Sequence, residues 1–378
     1  MKKIFSAVGS YIHEIDKLAA ILCLAAAILS VLLQLGLYKA GKVASGTVKT
    51  QVLACVLGII AAIILSKIDY GIIGKLWKLH TGLAYFLVGL TFIPGIGQGR
   101  GEVDDVAWLM VPGTSFTIQP SEFLKISFIV VFAYHLSLVR DNIDDIKVLF
   151  WVLLHAAVPI LLIHFQGDDG TALIFAVIVA AMLFAAGIGW KYIAMAVAAA
   201  GVALPVLWFV IMDEEKRQRV LSVYSGNVDI QGTGWQQYYG KLSIGSGQLW
   251  GNGIFSGQGQ FQTVPEIHND FIFAFIGEAM GFIGSVGILV LLAVLCINML
   301  STAQRSTDTV GQYICVGVFA MLAVQIVINI GMNLVLFPVV GVTLPLFSSG
   351  GSSILSTFMG IGLVLSVYMR SNHQLFKN

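Results

Sequence analysis

The sequence predicts an all-α integral membrane protein of about ten transmembrane helices, with a long extracellular loop between spans seven and eight. Three observations carry that expectation. Hydrophobic residues fill 57% of the 378 positions and charged residues only 11%, against about 25% charged in an ordinary soluble domain. The mean hydropathy is +0.89, and most apolar runs approach or exceed the ~18 residues a membrane helix needs. Basic residues also gather in alternate loops, the bias that orients membrane proteins.

In chain order the spans are read at 18–37, 50–66, 79–93, 122–139, 148–165, 171–188, 191–211, 270–299, 310–330 and 350–369. The first follows a charged N-terminus (Lys2, Lys3, Glu14, Asp16, Lys17) and precedes no small-residue cleavage site. It therefore reads as a retained span rather than a signal peptide. Residues 331–347 are apolar but broken by Pro338, Gly341 and Pro345, and read as a re-entrant or surface-lying loop. With the N-terminus in the cytoplasm, the inner loops and tails hold Lys2, Lys3, Lys17, Lys67, Lys75, Lys78, Arg140, Lys147, Lys191, Arg305, Arg370 and Lys377. The short outer loops hold only Lys39, Lys42, Lys49 and Arg100. Both termini are thus read as cytoplasmic, and the whole chain, 1–378, as one polytopic membrane domain with 212–268 as its extracellular loop.

Other classes fall away. A net charge of +1 lacks the concentrated basic face that nucleic acid requires. The four cysteines, Cys23, Cys55, Cys296 and Cys315, lie inside apolar runs without ligand or disulfide spacing and read as core residues. No Walker loop, Rossmann fingerprint or nucleophile elbow is present.

Charged and polar residues concentrate on the outer side. There Glu102, Asp104, Asp105, Glu122, Lys125, Asp168, Asp169, Arg217, Arg219, Lys241, Glu266, Asp270 and Glu278 mark where chemistry would sit. The segment from Arg217 to Gly281 is rich in glycine, glutamine and aromatics, a composition suited to sugars, with cations suited to phosphate. Asp270 stands where the loop becomes span eight, a position that fits either a helix N-cap or a general base on a hydroxyl. Glu266, His268 and Asp270 fall at alternate positions, which also suits a divalent cation such as Mg2+ or Mn2+. Glu278 lies about 12 Å further along that helix by rise and must face protein or water.

Gln119-Pro120-Ser121-Glu122 opens span four, and Glu122 can pair with Lys125 on one helix face, as structure or as substrate contact. Ser348-Ser349-Gly350-Gly351-Ser352-Ser353 opens span ten as an anion-binding start or as a flexible cap. Gln166-Gly167-Asp168-Asp169-Gly170-Thr171 is a tight outer turn with two carboxylates. Gly277, Gly281, Gly284 and Gly287 make a small-residue ridge for an internal helix or for a partner's helix.

Four of these stretches together resemble the shape, elongation, division and sporulation family, the polytopic peptidoglycan glycosyltransferases that include RodA and FtsW. They are IQPSEFLK (118–125), KLSIGSGQLWGNG (241–253), PEIHNDFIFAFIGE (265–278) and LPLFSSGGSS (344–353). KLSIGSG looks more like the RodA side. The resemblance implies a bacterial cytoplasmic-membrane enzyme with Asp270 catalytic. It implies Arg217 or Arg219 and Lys241 as the loop cations, and Glu122, Lys125 and Glu278 as buried polar positions. Asp168, Glu266, His268, Ser352 and Ser353 join the candidate substrate-binding set.

The implied substrate is lipid II, and the implied partner a single-span class B penicillin-binding protein. Asp270 would deprotonate the acceptor 4-hydroxyl, which displaces the lipid pyrophosphate with inversion while the cations stabilise the leaving group. A lipid II flippase and a non-catalytic scaffold are the other readings. The chain departs from the family pattern at Gly167 (for proline), at Ala107 before Trp108 (for arginine), at Ser349 (for tyrosine) and at Ala279 (for glutamate).

Overall fold

The computed structural model describes residues 11, 13–99, 106–110, 117–212, 214–224 and 234–375. Lys2, Lys3, Arg100, Glu102, Asp104, Asp105 and Lys377 lie outside these. The helices are α1 (Lys17–Lys39), α2 (Ser45–Lys67), α3 (Tyr70–Lys75), α4 (Trp77–Thr91), α5 (Pro120–Val139), α6 (Ile146–Phe165), α7 (Asp169–Ala185) and α8 (Trp190–Val206). After them come α9 (Glu214–Tyr224), α10 (Trp235–Ser246), α11 (Ile272–Arg305), α12 (Thr309–Asn333) and α13 (Gly351–Leu375). Three short antiparallel strands, β1 (Gly97–Gln98), β2 (Trp108–Met110) and β3 (Thr117–Ile118), pair in sequence order between α4 and α5.

Aspartates start several of these helices. Asp16, Asp69, Asp145, Asp168 and Asp308 each cap the helix that follows by accepting a backbone N–H in its first turn. A short acceptor side chain satisfies a donor that the helix itself leaves unpaired. All five are helix starts, and all but Asp168 lie at the bundle end opposite the long loop. Tyr70 with Asp308, Arg370 with Asp69, and Asn298 with Asp16 tie that end together.

Among the described residues, eight helical stretches are long and apolar enough to cross a membrane, including α1, α2, α5, α6, α11, α12 and α13. The fold is thus that of a multi-pass all-α membrane protein. Two of the ten expected spans, 79–93 and 171–188, fall on α4 and α7, of 15 and 17 residues, shorter than the ~20 that cross unaided. α13 is the most buried span and packs closely along α2. A Cβ on Gly362 would stand 2.7 Å from Ala62 Cα, and one on Gly58 would meet the Phe358 ring. Where lipid replaces water, such close approach supplies the attraction between helices. α8 is the opposite case, with no buried residue.

Three segments differ from expectation. The region read as loop 212–268 contains helices α9 and α10. α10 buries Gln237, Gly240 and Ser243 at a spacing of three, a stripe too polar and small to register as hydrophobic periodicity. α11 is broken at Gly281, whose φ of 66° and ψ of −168° are not helical. There the backbone pairs sideways: Asn252 N and Gly253 N donate to Glu278 O and Ala279 O, and Phe282 N to Gln248 O. Finally, the segment read as re-entrant or surface-lying is divided: Leu334, Leu336 and Phe337 are exposed, whereas Leu344, Leu346, Phe347 and Ser348 turn inward and are buried, as in a re-entrant loop. Irregular backbone at membrane depth is tolerated where protein covers it.

The glycine ridge divides. Gly277 packs against Ile244, and a Cβ on Gly281 would strike Gly251 N and Leu249 O, so both serve internal contacts with α10 and the chain after it. A Cβ on Gly284 would meet the Met280 side chain, and one on Gly287 would meet open space.

Candidate active site

Asp270 lies in the turn 265–271, just before α11 begins at Ile272. It is not the helix cap: Phe271 holds that position without a side-chain bond, and the Ala274 N–H is satisfied by Asn333 Oδ1 at 3.1 Å. α12 fixes the turn from beneath. Asn329 Nδ2 and Asn333 Nδ2 both donate to Asp270 O, at 2.8 and 2.9 Å, and both asparagines are fully buried. Asn329 Nδ2 also donates to Val342 O at 2.7 Å, so one amide joins the Asp270 turn to the irregular segment after α12.

More bonds converge on this turn. Gln34 Nε2 and Ser349 N donate to His268 O, and Ser348 Oγ donates to Asn269 O. Asp270 is partly exposed, and its carboxylate comes near Gly341, where an added Cβ would stand 3.8 Å from Oδ2. The turn that carries Asp270 is thus held by several buried hydrogen bonds.

Across the same segment lies a second acidic group. A Cβ on Gly170 would collide with Val340 O, which brings the α7 start against the 340–342 strand of chain. There Asp168 accepts from Thr171 N at 2.9 Å and from Gln119 Nε2 at 2.8 Å. Burial pushes its carboxyl above the ordinary value; the Thr171 bonds and Lys125 pull it down, and Glu122 pushes it up. Gln119 N in turn donates to Ser352 Oγ at 3.1 Å, and Ser353 Oγ is bonded to Thr343 Oγ1.

Beneath Gln119 sits the buried pair. Lys125 Nζ donates to Glu122 Oε1 at 2.9 Å, and Glu122 Oε2 accepts from Ser356 Oγ at 2.5 Å. With the Gln325 amide oriented to satisfy both its ends, Lys125 Nζ also donates to its oxygen at 3.1 Å. Such a pair survives burial because its remaining hydrogen-bonding capacity is met by protein. It ties α5 to α12 and α13.

The structure therefore gathers Asp270, Asp168, Glu122, Lys125, Ser352 and Ser353 around the segment 338–353. Glu278, Lys241, Arg217 and Arg219 belong to other neighbourhoods. Glu278 is buried, and its carboxylate accepts from Ser243 Oγ (2.6 Å), Gln260 N (2.7 Å) and Phe261 N (2.8 Å). It clasps α10 and the 260–263 turn onto α11. Lys241, exposed on α10, lines a cavity of about 650 Å3 with Gln237, Tyr238, Leu242, Ser246, Gln260 and Val335. Arg217 lies on α9 beside Glu214 at 3.7 Å, and its Nε has no hydrogen-bond partner among the described residues. Arg219 stands two positions on, half-exposed.

Glu266 belongs to the same turn as Asp270. Its φ is 47°, and its carboxylate accepts from Asn269 Nδ2 at 2.6 Å. Among the described residues no three His, Cys, Asp or Glu side chains are grouped to hold a metal ion. Lys42, which donates to Gln262 O at 2.8 Å, has its ammonium pushed down by burial and back up by Glu266. Sequence reasoning missed the supporting amides Gln34, Gln325, Asn329 and Asn333. Their signal was present, since amides inside apolar runs are costly and mark polar contacts.

Comparison with known proteins agrees with this architecture. A family model described as a cell cycle protein, FtsW/RodA/SpoVE, matches residues 14–373. The chain is 32% identical over 326 residues to a probable peptidoglycan glycosyltransferase FtsW of Trichlorobacter lovleyi, covering 84% of this chain and 82% of that one. It is 36% identical over 252 residues to the peptidoglycan glycosyltransferase MrdB of Escherichia coli K12, covering 66% and 68%. A solved peptidoglycan synthase complex, described as coordinating polymerization and crosslinking, superposes with a TM-score of 0.77 at 26% identity, covering 94% of this chain and 98% of that one. The chain belongs to the FtsW/RodA/SpoVE family, that of shape, elongation, division and sporulation proteins.

Proposed function

We propose that this peptidoglycan glycosyltransferase polymerises lipid II into glycan strands at the outer face of the bacterial cytoplasmic membrane, with Asp270 as the catalytic base. The observation that carries the reading is the mounting of Asp270: its backbone oxygen is held by two buried asparagines while the residue itself stays partly exposed. A base must be positioned before it can be tuned. Asp270 takes the proton from the acceptor's 4-hydroxyl as that oxygen attacks the anomeric carbon of the donor. The bond to the lipid pyrophosphate breaks with inversion, and the departing charge is met by cations. The donor's pyrophosphate extends from the Asp270 cluster toward α9 and α10, whose Arg217, Arg219 and Lys241 supply them.

The chain works with a single-span class B penicillin-binding protein, a reading supported by its likeness to the synthase complex. Both termini lie in the cytoplasm, a reading supported by the distribution of basic residues among the loops. The test is polymerisation of labelled lipid II by purified protein and by its Asp270→Asn variant, each with and without the partner. Loss of polymer with retained fold supports the base; wild-type product removes it.

A further inference from the structure

Residues 242–265 contain no Asp, Glu, Lys, Arg or His. A water-facing loop of that length rarely avoids charge altogether. Within it, Leu249, Trp250 and Phe255 are exposed, Trp250 by 79%.

Two contacts fix the depth of this stretch against helices long enough to cross the membrane. On one side, Phe282 N and Ile283 N donate to Gln248 O and Leu249 O. Leu249 and Trp250 are thereby level with the first residues of α11 after its break. Phe282 and Ile283 are themselves exposed and begin an apolar face that continues down the helix through Val290 and Ile297. On the other side, the backbone of Ile254 packs directly on Gly36, one turn before the end of α1, where a Cβ would collide with Ile254 O. Phe255 lies under Lys39 Nζ, 4.5 Å from its ring centroid, at the last residue of α1.

We propose that residues 249–255 are a membrane-interface anchor, seated in the lipid leaflet at headgroup depth with Trp250 as its main contact. Tryptophan suits that zone because an apolar body and a polar N–H are both satisfied there. The occupant is lipid, because the exposed face of the stretch is continuous with the lipid-facing side of α11. The Lys241 cavity, whose wall is the helix immediately before this anchor, then opens near headgroup level. The inference rests on the membrane fold and does not depend on the glycosyltransferase reading.

The test uses the full-length protein in nanodiscs and the tryptophan emission lost in Trp250→Phe, with Trp250→Tyr as a second subtraction. Thermal melting of each variant checks that the fold is kept. In lipid brominated high on the acyl chain, the Trp250 component should fall about twofold, while aqueous iodide leaves it unchanged. Iodide quenching without lipid quenching would overturn the proposal in favour of a water-facing loop. Protection from both quenchers would overturn it in favour of a protein-covered face. So would loss of lipid quenching when the class B partner is reconstituted beside the protein, since the face would then be a protein docking surface.

Discussion

Replacing Glu278 by alanine removes the acceptor for three donors at once, the Ser243 hydroxyl and the Gln260 and Phe261 amides. Each hydrogen bond to a carboxylate contributes about 1.5–3 kcal/mol. Water entering the vacated space recovers part of the loss, leaving about 3–6 kcal/mol of local destabilisation. The side chain is 1% exposed, so solvent screening does not reduce that figure further. The cost falls on the attachment of α10 and the 260–263 turn to α11 rather than on the spans. Hydrogen exchange in nanodiscs reads it directly: protection at Gln260 and Phe261 should drop about 10²–10⁴-fold, with α12 and α13 unchanged. Glu278→Gln keeps the shape but turns an N–H toward one of the donors, and should lose about 1–3 kcal/mol. Because Gln260 lines the Lys241 cavity, polymerisation should fall with protection. Wild-type exchange at 260–261 in the alanine variant would refute the clasp.

Two further outcomes follow from the same geometry. Alanine at Arg217, Arg219 or Lys241 should raise the apparent requirement for donor more than for acceptor, because only the donor loses pyrophosphate; equal effects on both, measured with separate donor and acceptor substrates, would point to loop folding instead. Asp168 binds its proton more tightly folded than unfolded, since burial raises its carboxyl; stability should therefore fall as pH rises from its ordinary value through the raised one, and Asp168→Asn should flatten that slope in melting curves taken across acidic pH.

Much of this was legible in the amino-acid sequence. Apolar runs placed the long spans, and the Pro-Glu-Ile-His-Asn-Asp stretch singled out Asp270. Partners were harder to read. Asn329 and Asn333 were visible as amides in an apolar run, but nothing local says that both reach the backbone oxygen of Asp270, some sixty positions away. α10 stayed hidden because its buried stripe is Gln237, Gly240 and Ser243: Gly240 and Ser243 pack by being small, and Gln237 is held by donating to Met332 O and Phe337 O. The break in α11 depends on one glycine in a continuous hydrophobic run, where hydropathy carries no information about φ. Glu122 and Lys125 were readable as a pair from their spacing; their bonds to Ser356 and Gln325 required the fold.

The most direct test of the central claim is lipid II polymerisation by the purified Asp270→Asn variant, reconstituted with a class B penicillin-binding protein. Asparagine keeps the shape of the side chain and leaves the backbone oxygen to Asn329 and Asn333, so melting and partner binding should match wild type. Glycan polymer should be absent at every pH, because an amide cannot take the acceptor's proton. Polymer at the wild-type rate would contradict the account and leave Asp270 a structural residue of the turn.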